Sequence, residues 1–202
     1  MLVPPTEEQT LNVDHRVILH GVSWAGYEAI LAARGDHSAP RIAYLEGELE
    51  IMSPSGGHEA TKKTWARLLE AWCEEMGVPL QGFGSWTLKR RKEERGAEPD
   101  ECYIVGRRHA QVPDLALEVI WSHGGLDKLE IYRRLGVREV QLWERGRISV
   151  FVLRKERYVR ARRSAVLPAL ELELIARCLK VQWQDEAVSS LRKALRRERK
   201  TH

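Results

Sequence analysis

Alternation of apolar and polar positions divides this chain into short strands separated by amphipathic helices. Ile42 and Tyr44, then Leu49 and Ile51, alternate on either side of Glu46-Gly47, which predicts a hairpin. Trp65, Leu68, Leu69, Trp72, Cys73 and Met76 recur at helical spacing and predict an amphipathic helix from about Glu59 to Met76, ended at Gly77. Ser23 reads as the cap of an earlier helix carrying Trp24, Tyr27, Ile30 and Leu31. Strands are expected near Leu80–Leu88, Glu101–Val105 and Leu115–Trp121, then a helix from Leu126 to Leu135 stopped by Gly136. Glu139–Trp143, Ile148–Leu153 and Tyr158–Arg162 complete a mixed sheet, and Leu170, Leu172 and Leu174 form a short apolar segment before a final helix. The fold class is therefore α/β or α+β, a central mixed sheet flanked by helices. The expected organisation is an N-terminal arm over 1–22, one domain over 23–180 and a basic C-terminal helix or tail over 181–202.

Within Leu115–Trp121 the only charge is Glu118, in a run that reads as a strand buried on both faces. An unpartnered carboxylate there would cost several kcal/mol, so it must be paired, protonated or bound to a metal. Strand periodicity puts Asp114 on the same face as Glu118, but about 13 Å away, too far to share an ion. Asp100, which directly precedes the strand signal Cys102–Val105, comes near Glu118 if the two strands are neighbours. A buried pair with an arginine is the structural alternative for Glu118, a strand-opening turn that for Asp114, and a helix cap that for Asp127.

Pro99-Asp100, then an acid 18 residues later in a hydrophobic strand, then a helix bearing Lys128, resembles the PD-(D/E)xK nuclease superfamily. More closely, the chain resembles the Uma family of restriction-endonuclease-like proteins. The likeness runs from about Ser23 to Trp143 and includes Leu45 to Pro54, the helix opened by His58-Glu59, Asp127-Lys128 through Tyr132, and Gly136-Val137. It implies a restriction-endonuclease-like fold and hydrolysis of phosphodiester bonds in DNA, with Asp100 and Glu118 holding Mg²⁺ or Mn²⁺. The superfamily lysine falls at position 120, which is Ile120 here, so the resemblance implies a migrated lysine, with Lys128 the candidate. It also offers Glu59, from the first core helix, as a catalytic acid. Glu48, His58 and Asp114 are additional candidates. Each has a plainer counterpart: Glu59 suits a helix N-terminus, His58 a polar first turn, and Glu46, Glu48 and Glu50 a solvated strand face. Cutting two strands implies a homodimer. The alternative is a nucleic-acid-binding or interaction module of the same fold that has lost catalysis, as Ile120 suggests. A hydrolase of small phosphorylated molecules comes last, for want of a Gly-rich phosphate cradle.

Composition narrows the class further. The chain has 202 residues, 43% hydrophobic and 31% charged, enough to bury a substantial core. No apolar run approaches the roughly 18 residues of a membrane span, and Met1–Glu8 lacks the blocks of a signal peptide, so a cytoplasmic protein is expected. Cys73, Cys102 and Cys178 are scattered and read as core thiols. The net charge of +4 is mild, but Lys89, Arg90, Arg91 and Lys92 form a basic run that is a candidate nucleic-acid contact, as does Arg192–Lys200.

Overall fold

In the computed structural model, which describes residues 13–121 and 124–201, two sheets replace the single sheet expected. The first contains β1 (His15–Leu19), β2 (Arg41–Leu45), β3 (Glu48–Ser53), β5 (Leu88–Arg90) and β6 (Arg95–Ala97), all antiparallel, in the order β1-β3-β2-β6-β5. The second contains β4 (Leu80–Gly82), β7 (Glu101–Val105), β8 (Leu115–Ile120), β9 (Glu139–Glu144), β10 (Arg147–Arg154) and β11 (Arg157–Ala161). Its order is β11-β10-β9-β8-β7-β4, with β8 and β9 parallel and the rest antiparallel. This is a mixed α+β fold. The hairpin at Glu46-Gly47 forms as expected, but the stretch expected as one strand over Leu80–Leu88 is two short strands in different sheets. Gly82, Gly84 and Ser85 interrupt it with positions that gain little from a pleated surface.

Helix α1 (Trp24–Arg34) is capped by the Ser23 hydroxyl, and α2 (Gly56–Met76) by Ser55, so the long helix begins earlier than its apolar spacing suggests. Helix α3 (Lys128–Leu135) is the crossover that makes β8 and β9 parallel, and Asp127 caps it by accepting from the Glu130 N–H at 3.0 Å. Helices α4 (Leu172–Cys178) and α5 (Gln184–Thr201) follow. The segment read as a short apolar stretch is thus helical: Leu174, Ile175 and Cys178 lie on one side of α4 and are buried.

Three apolar clusters hold the layers. One face of the second sheet, through Tyr103, Leu115, Leu117 and Val119, packs on α2, α4 and α5. Its other face, through Ala116 and Val140, meets α3, β5 and β6 by way of Ile131, Leu135, Leu88 and Ala97. Helix α1 covers the first sheet through Trp24 and Tyr27 on Ile42, Tyr44 and Leu49. The described part of the arm over 1–22 supplies the edge strand β1, and the basic C-terminal helix buries Ala187, Leu191 and Leu195; residues 1–12 and 202 lie outside the described residues. All three cysteines are buried and free, and burial pushes the Cys73 and Cys102 thiols up to about 12.

Gly96 of β6 lies against the fully buried Tyr27 ring, where a Cβ would overlap the phenol. Gly96→Ala should therefore lower unfolding free energy by about 1–3 kcal/mol, read from a urea titration; an unchanged midpoint would show that Tyr27 yields freely.

Candidate active site

The site forms where the two sheets approach each other. In β7 and β8, Glu101 pairs with Leu117 and Cys102 with Ala116, and this register carried one residue further sets Asp100 opposite Glu118. The juxtaposition expected from sequence is thus made by adjacent antiparallel strands. Both acids are buried, at 1% and 4% exposure, so each charge needs partners.

Asp100 meets three. Its Oδ1 accepts from Arg41 Nη1, and its Oδ2 accepts from the Val119 N–H at 2.6 Å and faces His58 Nε2 at 3.0 Å. His58 Nδ1 lies 2.9 Å from Asp14 Oδ2, so the ring is held between two carboxylates, and only the imidazolium form donates to both. Asp14 also accepts from the Ser55 N–H at 2.8 Å, fixing the start of α2. Arg41 Nη2 donates to Glu59 at 2.8 Å, and Glu59 pairs with Lys62 at 2.6 Å. Glu59 therefore reaches Asp100 only through Arg41.

Glu118 is held differently. Its Oε1 accepts from the Tyr132 hydroxyl and lies 4.0 Å from Lys128 Nζ. Lys128 and Tyr132 are one turn apart on α3, so one helix face delivers both. Among the described residues the partners of this acid are therefore a phenol and an ammonium, and no arginine pairs with it. Burial, with the Glu118 charge beside it, drives the Tyr132 hydroxyl well above its usual range, which keeps it a donor. Glu118 and Lys128 line a cleft of about 170 Å³ together with Glu50 and Arg16. Glu50 Oε2 accepts from the Leu126 N–H at 2.8 Å and pairs with Arg16 Nε at 3.2 Å.

Several sequence candidates lie elsewhere. Glu48, a candidate acid, sits half-buried at the start of β3 and meets His20 at 2.6 Å; its neighbour two residues on, Glu50, is the acid that faces the cleft. The solvated-face reading thus fails for Glu50, because Arg16 and the loop at Leu126 close over it beside the cleft. Asp114 opens β8 at the far end from Glu118 and is fully engaged by Arg108, Arg138 at 2.9 Å and the Val105 N–H at 3.0 Å. In the basic run, Lys89 pairs with Glu28 at 3.2 Å, and Arg90 donates to the last carbonyls of α3, those of Arg134 and Leu135. Arg90 therefore satisfies the last carbonyls of α3 with its side chain, while Arg91 and Lys92 are exposed. Sequence reading missed Asp14, Arg16, Arg41 and Glu50, since each is recruited from the first sheet or the turn before it. The only sequence signal was the two-residue period that sets Glu50 beside Met52.

Among the described residues, no group of three His, Cys, Asp or Glu side chains converges as a metal cluster. What is present is a pair of hard carboxylates on facing strand positions, with Glu50 across the cleft. No described helix is long and apolar enough to cross a membrane.

A family model, Uma2, described as "Putative restriction endonuclease", matches residues 24–187. Among solved structures, a "putative nuclease belonging to DUF820" from Anabaena variabilis aligns with a TM-score of 0.44 and 12% identity, over 79% of this chain and 96% of that one. No curated protein matches.

Burial pulls the Asp14 carboxyl up, but hydrogen bonds from His58 and Ser55 outweigh it and hold the group below its ordinary value of 3.8; Glu59, through Lys62 and Arg41, is likewise held below 4.5. Carboxyls lowered by folding stabilise above those values and lose that contribution as pH falls through their folded values. Unfolding free energy should therefore drop as pH falls below about 4, and less steeply in Asp14→Asn; chemical denaturation at stepped pH reads this, and parallel profiles would exclude Asp14 as a source.

Proposed function

The chain belongs to the Uma2 restriction-endonuclease family, and from that premise we propose that it is a metal-dependent endonuclease hydrolysing phosphodiester bonds in DNA. A nuclease-like function follows from the family. The observation that supports the finer reading is the facing pair Asp100 and Glu118 with Lys128 Nζ 4.0 Å from the second acid.

The donor set fits a hard divalent cation. Glu118 lines the cleft with Oε1 beside Tyr132 and Lys128, and among the described residues Asp100 Oδ1 accepts from Arg41 alone. Asp100 and Glu118 would hold Mg²⁺ or Mn²⁺, which when bound supplies Lewis-acid polarisation of the phosphate and an acidified water. The chain's own groups do the rest. Lys128 neutralises charge that develops on the phosphate and orients the attacking water. Tyr132, His58 and the Val119 N–H fix the two carboxylates, so little reorganisation is needed at the moment of reaction. Cutting both strands requires two such sites, so the reading includes a homodimer.

A second reading has one observation in its favour. Arg41 already neutralises Asp100, as it would in a nucleic-acid-binding module of the same fold that needs no metal. Supercoiled plasmid separates the two. Nicking should require Mg²⁺ or Mn²⁺, stop in EDTA, and fall on the order of 100-fold or more in Asp100→Asn, Glu118→Gln and Lys128→Met while DNA binding persists. Wild-type protein that binds DNA and never cuts it supports the module instead.

A further inference from the structure

A second cleft, of about 720 Å³, lies on the same face of the second sheet as Asp100. Asp100, Cys102 and Ile104 of β7 share that face by strand period, and Ile104 forms the cleft floor. Leu80 and Gln81 of the edge strand β4 form one wall, and the turn Gly106–Ala110 forms the other. After β4 the chain keeps to β7: the Phe83 N–H donates to the Cys102 carbonyl at 3.0 Å. Phe83 is therefore held two residues, about 7 Å along the strand, from Asp100.

The lining has an unusual composition for a surface cleft. Phe83 is 44% exposed, and its ring lies 5.0 Å from that of Trp86, tilted by 35°. Trp86 is partly buried and packs against the core cluster that includes Leu88, Ala97 and Ala116, so this aromatic platform has a rigid base. Arg107 and His109, both exposed, line the same cleft with Arg108. Arg108 and Arg138 share the single carboxylate of Asp114, and Arg107 has no ion-pair partner among the described residues, so this end of the sheet carries excess positive charge. Aromatic faces beside guanidinium groups suit a chain of alternating planar bases and phosphates. Paired bases hide their faces inside the duplex, so the strand that uses such a platform is unpaired.

We propose that this groove binds a single strand of nucleic acid, with bases stacked on Phe83 and Trp86 and phosphates neutralised by Arg107, and that it leads the strand toward Asp100 and Glu118. The claim rests on the nuclease reading for its destination, not for its binding chemistry.

The test uses full-length Glu118→Gln protein in EDTA, so that nothing is cut, and a fluorescein-labelled oligo(dT) followed by anisotropy. Phe83→Ala and Arg107→Ala should each weaken binding by about 10-fold, and Arg107→Ala should lower the salt-dependence slope by about 1. Arg154→Ala, an exposed arginine on β10, should bind as the parent does. Since Phe83 and Arg107 are exposed, their loss should leave the unfolding midpoint unchanged. Groove variants that bind like the parent overturn the groove while plasmid nicking by wild-type protein leaves the nuclease reading standing. Groove variants that lose binding in a protein that never cuts sustain the groove and overturn the reading. A parent that binds duplex but no single strand overturns the groove.

Discussion

Burying Asp100 at 1% exposure is tolerable only because a guanidinium, an imidazole and a backbone N–H converge on it. Those donors come from three places. Arg41 stands on the first sheet, His58 in the first turn of α2, and Val119 on the neighbouring strand of the second sheet. The need to satisfy one carboxylate thereby fixes the relation of both sheets to the long helix. Asp14 extends the constraint to the turn before β1, because it holds the far side of the His58 ring and accepts from the N–H of Ser55, the cap of α2.

Around that knot the two halves of the site have different physical characters. Asp100 is encased in charge, whereas Glu118 faces a cleft with a phenol and an ammonium beside it. Glu50 controls the second half from outside by holding the Leu126 N–H, and so the loop that delivers Lys128. Gly125 lies directly against Glu50 and Arg16, and a Cβ there would overlap the carboxylate, so the loop can approach only without a side chain. The acid that anchors the loop and the residue that allows it to come close are thus a matched pair.

Much of this was legible in the chain. The helix carrying Trp65 to Met76, the hairpin at Glu46-Gly47 and the Asp127 cap follow from local periodicity and capping chemistry, and the structure has them. The facing of Asp100 and Glu118 was legible because Asp100 directly precedes one strand signal and Glu118 lies within the next, and the two strands pair. The division into two sheets was not. Leu80 to Leu88 reads as one apolar run, and only the partners across space, β7 for one part and β6 for the other, split it. Glu48 and Glu50 have the same local pattern, and only the cover over β3 tells them apart.

The sequence by itself carried most of the elements, through periodicity and capping within a few residues of chain, together with the family resemblance, and it singled out Asp100 and Glu118 as candidate acids. The tertiary structure decided which charges meet: that Arg41 and His58 close on Asp100, that Glu50 enters the cleft, that Arg90 meets the last carbonyls of α3, and that Asp114 stays at the far end with its own arginines. The physical reason is range. Periodicity and capping act along the chain, whereas pairing of buried charge is set by distances of a few ångströms between residues tens of positions apart, and these exist only once the layers have packed.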